Sequence, residues 1–155
     1  MSGTTRLDAF VALSAELTCF EPFELIGTGV AADHLAAADR VVGGSHIDDL
    51  LAAHQAICGL TGLARTAAFR RDILGCERLG PIARNVIKLW YVGVWFALPE
   101  SWQQQFGPAP ADKTFVVSPM TYIEGLLWKA AGAHPPGGRA PGFGSWADPP
   151  NIPPY

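Results

Sequence analysis

The chain has 155 residues, enough for one domain at the usual size of about 100 to 200 residues. It is 49% hydrophobic and only 16% charged, against about 25% charged in an ordinary soluble domain, so polar cover is thin and a surface made for a partner is expected. A net charge of −3 with scattered basic residues leaves no stripe that could track phosphates, which sets nucleic acid aside as a ligand.

In chain order, Thr5 to Thr18 places Leu7, Phe10, Val11, Leu13 and Leu17 at helical spacing. Thr5 and Asp8 are three apart in the manner of a capping box. Glu21 precedes Pro22 and is pushed out of helical geometry, so this helix ends near Cys19. A second, alanine-rich helix is expected from Val30 to Val42, closed by Gly43 and Gly44. Ser45 and Asp48 open a third, with Ile47, Leu50, Leu51, His54, Ile57 and Cys58 on one side, interrupted at Gly59 and Gly62. A fourth covers Leu63 to Leu74 and stops at Gly75.

Pro81 suits the first turn of a fifth helix, whose stripe of Ile82, Val86, Leu89, Trp90, Gly93 and Val94 carries it to about Ala97. Pro99 to Lys113 reads as a polar, proline-broken loop. The β-branched and aromatic run Thr114 to Val117 favours a brief extended segment. Ser118 and Pro119 start a last helix from Met120 to Ala131. Half of the residues from Gly132 to Tyr155 are glycine or proline, which excludes a helix or a central strand there. The expected architecture is an all-α, irregular bundle of about five to six helices over 1–131, followed by an extended Gly/Pro-rich arm over 132–155 that binds a partner.

The string Gly27-Thr28-Gly29-Val30-Ala31-Ala32 has the glycine spacing of a dinucleotide-binding turn. Such a unit also needs a full strand before the glycines and another after the helix, and the sequence supplies neither. A glycine turn leading into a helix is the expectation, with a stand-alone nucleotide-binding enzyme as the alternative. No two of His34, His46, His54 and His134 have the i, i+4 spacing of metal ligands. Glu16, Glu24, Glu77 and Glu124 pair with no nucleophile or second carboxylate in sequence, so no catalytic, cofactor-binding or metal-binding residue is assigned. Cys19, Cys58 and Cys76 lie in or beside apolar helical stretches and read as small buried hydrophobes.

Trp90, Tyr91, Trp95, Phe96 and Trp102 lie within thirteen residues. Trp90 and Trp128 are expected in the core. Trp95, Phe96, Trp102, Phe143, Trp146 and Tyr155 are the candidate partner interface, since aromatic groups are enriched where proteins bury surface against each other. A self-associating structural protein, its arm exchanged between copies, is a further alternative.

The N-terminal stretch lacks the pattern of a secretory signal, and the most apolar window, Val86 to Leu98, is interrupted by Lys88 and is short of the roughly 20 residues that cross a bilayer. The chain is expected to have no direct membrane span. As written it is expected in the cytoplasm, or in the periplasm if an export signal has been removed.

Leu89 to Gly93 (LWYVG), Thr121 to Gly132 (TYIEGLLWKAAG), Gly137 to Pro150 (GGRAPGFGSWADPP) and the opening Leu7 to Thr18 together resemble the small subunit of bacterial flavin-dependent sugar and polyol dehydrogenases. The type is the sorbitol dehydrogenase small subunit, akin to subunit 3 of gluconate dehydrogenase. The resemblance implies a non-catalytic subunit with no cofactor of its own. It would bind and stabilise a large FAD-containing subunit of the glucose-methanol-choline type, which oxidises a sugar, glycoside or polyol hydroxyl.

Overall fold

A computed structural model of the chain describes residues 5–138. The fold is all-α, with one two-stranded ribbon among the described residues. Helix α1 (Arg6–Thr18) starts on the expected capping box: the Asp8 amide donates to Thr5 Oγ1 at 3.1 Å, and the Thr5 amide donates to Asp8 Oδ2 at 2.9 Å. It stops where Cys19 turns left-handed at φ 61°.

Beyond it, Pro22–Gly27 forms a short helix, α2, with Pro22 in its first turn. Helices α3 (Ala31–Val42) and α4 (Gly44–Ala56) follow, hinged at Gly43 with φ 87°. The hinge replaces the expected Ser45 cap, and no side chain caps α4. Helix α5 (Gly62–Ala68) runs into a π-helical turn, Phe69–Leu74, that the Gly75 amide closes onto the Arg70 carbonyl at 2.7 Å.

Helix α6 (Leu79–Val92) is the central element, burying Leu79, Ile82, Ala83, Val86, Leu89 and Trp90. Trp90 is fully buried; the Phe10 ring stacks on it at 6.5 Å and the His34 ring meets it edge-on at 4.8 Å. Helices α1, α3, α4 and α6 therefore share one apolar core.

Helix α6 ends five residues before the expected Ala97 (Val92 is its last residue). The cause is tertiary. Gly93 is left-handed at φ 68°, and a Cβ there would lie 2.6 Å from the Thr121 carbonyl group. The chain turns extended, and β1 (Val94–Trp95) pairs antiparallel with β2 (Phe115–Val116), Val94 opposite Val116 and Trp95 opposite Phe115. The expected Pro99 to Lys113 loop contains a helix, α7 (Glu100–Phe106). Trp102 holds it, buried against His46 at 5.1 Å and Phe106 at 5.6 Å and donating its indole N–H to the Arg78 carbonyl at 2.8 Å.

The single helix expected over Met120 to Ala131 is two, α8 (Pro119–Ile123) and α9 (Leu126–Ala130). They break at Gly125, where a Cβ would come within 2.7 Å of the Tyr91 carbonyl oxygen. The start of the expected arm stays close to the domain: the Ala133 amide donates to the Trp128 carbonyl at 2.8 Å, and Pro135 is buried. Among the described residues no helix is long and apolar enough to cross a membrane.

Candidate functional site

The candidate interface divides. Trp95 and Trp102 are buried in this chain's own core, so they present no surface to a partner, contrary to the sequence expectation. For Trp95 the reason is the ribbon: strand alternation turns it inward, where its indole N–H donates to Asp112 Oδ1 at 2.8 Å. The other oxygen of Asp112 accepts from the Leu98 amide at 2.8 Å and from Gln103 Nε2 at 3.0 Å. Phe96 lies at the surface, 37% exposed, with Lys88 Nζ 4.8 Å from its ring centre. Phe143, Trp146 and Tyr155 lie outside the described residues. Trp90 is in the core as expected, and half-buried Trp128 meets Tyr122 edge-on at 5.4 Å.

Tertiary packing finds a partner for Glu16 that sequence reasoning did not. Its carboxylate on α1 accepts from Arg65 Nε at 3.0 Å and Nη2 at 2.6 Å, and His54 Nε2 lies 2.9 Å away. Burial opposes ionisation of Glu16, but the hydrogen bonds from Arg65 and His54 outweigh it and hold the carboxyl below its ordinary pKa. Arg65 also donates from Nη1 to the Ile57 carbonyl at 2.9 Å. The cluster ties α1, α4 and α5 together as a clamp. The nearby Cys58 thiol points to the His54 carbonyl at 3.5 Å rather than to the imidazole, so the arrangement is not that of a base activating a nucleophile.

His34 is the most perturbed titratable group in the core. It is fully buried, neither ring nitrogen has a hydrogen-bond partner, and burial lowers its pKa to about 4. Trp90 Nε1 and Ser14 Oγ are also buried without partners. Cys19 and Cys58 are exposed, which corrects the reading of them as buried hydrophobes, while Cys76 is half-buried and packs against the core. Cys19 caps the end of α1 and Cys58 follows the cap of α4, where the backbone leaves the core.

A cleft of about 270 Å³ opens between α2 and α9, lined by Glu24, Thr28, Trp128, Lys129 and His134 among others. Lys129 and Glu24 form an ion pair across it. The Gly27 to Ala32 string sits at the end of α2, with Phe23 to Ile26 helical rather than extended and Gly29 left-handed at φ 73°. No strand leads into these glycines, so the βαβ setting of a dinucleotide site is missing there. Among the described residues no three His, Cys, Asp or Glu side chains are grouped to hold a metal ion.

The molecule instead shows exposed large apolar side chains: Leu63 at 89%, Phe23 at 73%, Ile26 at 62% and Val116 at 56%. The sequence signals were present but short. Val116 belongs to a β-branched run, and Phe23 and Ile26 sit one turn apart in a helix of only six residues. The class that fold and surface define is an all-α domain with apolar surface exposed at several elements. No protein-family model, curated protein or solved structure matches the chain.

Proposed function

We propose that this chain is a non-catalytic accessory subunit that binds and stabilises a FAD-containing catalytic subunit of the glucose-methanol-choline type, which oxidises a sugar, glycoside or polyol hydroxyl. FAD belongs to that partner. The observation that carries the reading is the exposure of Leu63, Phe23, Ile26 and Val116 on a chain with only 16% charged residues, since large apolar side chains with so little charged cover around them favour burial against a partner. Support also comes from the segments that carry the resemblance. Leu89 to Gly93 and Thr121 to Gly132 are almost thirty residues apart in the chain, yet they pack backbone to backbone where Gly93 meets Thr121 and Gly125 meets the Tyr91 carbonyl.

Burying such surface stabilises a complex by about 25 cal/mol per Å², less the cost of ordering both partners. The test is co-expression of the tagged full chain with a glucose-methanol-choline-type flavoprotein whose reading frame adjoins its own. A yellow complex that co-purifies, and a flavoprotein that loses solubility or activity without this chain, is the expected result. Purification of the chain as a stable monomer from the same cells, with the flavoprotein fully active in its absence, overturns the reading. Tight binding of NAD or FAD by the isolated chain would point instead to a nucleotide-binding enzyme.

A further inference from the structure

The β1–β2 ribbon has an inner and an outer face. Trp95 and Phe115 face the core, so the pair Val94 and Val116 lies on the opposite face, with Phe96 two residues beyond Val94 on that same side. Val116 and Phe96 are exposed and Val94 is half-buried.

The two edges of the ribbon also differ. The Val117 amide donates to the Gly93 carbonyl at 3.0 Å, which makes Val94 and Val116 the pair whose own backbone groups point outward from the ladder. On the β1 side the edge is closed next to that pair: Asn85 takes both backbone groups of Phe96, accepting from its amide at 3.1 Å and donating to its carbonyl at 3.0 Å. On the β2 side no described side chain bonds the Val116 backbone. An open edge beside an exposed apolar residue is a template for strand addition.

Two lysines beside the ribbon have no described carboxylate partner. Arg6, Arg65, Arg71, Arg78 and Lys129 each pair with a carboxylate. No described carboxylate pairs with Arg40, Lys88 or Lys113, nor with Arg70 or Arg84, of which Arg84 donates to the Leu74 carbonyl instead. Arg40 lies at 4.8 Å over the ring of core-facing Phe115 and does not serve the outer face; there Lys88 lies over Phe96, and exposed Lys113 stands two residues before β2. Asp112, the carboxylate nearest in sequence, is turned inward onto Trp95, Leu98 and Gln103. Cations left without counter-charges around an apolar strand favour a ligand that brings both carboxylates and apolar groups.

We propose that the outer face and open edge of this ribbon take an extended, apolar and acidic segment of a partner polypeptide, which adds as a third strand alongside Val116. The proposal deepens the accessory-subunit reading and rests on it for the identity of the partner.

The probe is a fluorescent decapeptide of alternating valine and glutamate, with its valine and lysine counterpart as control, titrated against the full chain and followed by anisotropy. The glutamate peptide should bind at least about tenfold tighter than the lysine peptide, and added salt should weaken it. Exchanging Lys88→Glu and Lys113→Glu together, both exposed and outside the core, should reverse the preference with the melting temperature unchanged. Val116→Pro, which removes the outward amide, should weaken binding in the wild-type charge background. Equal binding of the two peptides, no binding, or binding untouched by the charge exchange overturns the proposal. Two further results also overturn it: concentration-dependent dimers abolished by Val116→Lys, which would make the occupant a second copy, and peptide binding that appears only after truncation at Gly138, which would make it this chain's own C-terminal segment. The assay contains no flavoprotein, so its failure is separate from a failure of co-purification.

Discussion

The Trp95 indole donates to Asp112 at 2.8 Å inside the core, and that bond closes the chain segment between the two strands. The same carboxylate collects the Leu98 amide and the Gln103 side chain, so one buried acid organises the ribbon and α7 together.

Asp112→Ala should therefore leave two buried donors, the Trp95 indole and the Leu98 amide, without acceptors. A buried donor left unpaired costs about 1 to 3 kcal/mol, and a loss of about 3 kcal/mol is expected from urea denaturation. Asp112→Asn, which keeps one acceptor oxygen, should lose less. Equal stabilities of the alanine variant and the wild type would show that the cluster is incidental.

His34 makes stability depend on pH in a defined direction. Its pKa falls from 6.5 in the unfolded chain to about 4 in the fold because the buried ring would have to carry charge with no partner. Between those values the unfolded chain binds a proton that the folded chain refuses, so stability is complete above 6.5 and is lost as the pH falls toward 4. The span corresponds to about 3 kcal/mol. In denaturation measured from pH 7 to pH 4, the wild type should lose stability relative to His34→Leu as the pH falls. Parallel profiles would count against a buried neutral imidazole.

Gly93→Ala should cost about 2 to 4 kcal/mol, because it combines a left-handed φ with overpacking against backbone. The added Cβ would lie 2.6 Å from the Thr121 carbonyl group, and no rotamer can relieve it. Gly137→Ala has a similar φ of 73° but open space around it, so it should cost far less. Thermal melting of the pair separates clash from conformation.

Glu16→Gln removes the charge that holds Arg65 and His54. Both sides of the ion pair are about three-quarters buried, so the loss should fall between that of a surface pair and that of a fully buried one, about 1 to 2 kcal/mol. The carboxyl titrates below its ordinary value in the fold, so its contribution is present above the unfolded pKa and disappears as the pH falls through the folded one. In denaturation measured from pH 7 downward, the difference between wild type and variant should shrink once the pH falls below the ordinary glutamate range.

Leu63→Glu and Phe23→Glu should leave stability within about 0.5 kcal/mol, since both side chains are exposed. They should raise the solubility of the isolated chain and weaken its co-purification with the proposed flavoprotein partner. Unchanged co-purification with both together would move the proposed contact to another face.

What the sequence determined by itself was the helical part of the fold. The stripe along α6, the Thr5 and Asp8 capping box, and the glycines at positions 43 and 75 are local signals, acting through neighbours a few residues away, and local signals are legible in one dimension. The other features depend on residues distant in the chain. Gly93 and Gly125 end helices because Thr121 and the Tyr91 carbonyl stand against them, Trp95 turns inward because Phe115 pairs with it, and Glu16 finds Arg65 from 49 positions away. The aromatic cluster held both fates under one composition. Trp95 went to the core and Phe96 to the surface because an extended chain alternates its sides, with a register set by the partner strand, while Trp102 is buried by α7 packing against His46 and the Arg78 carbonyl.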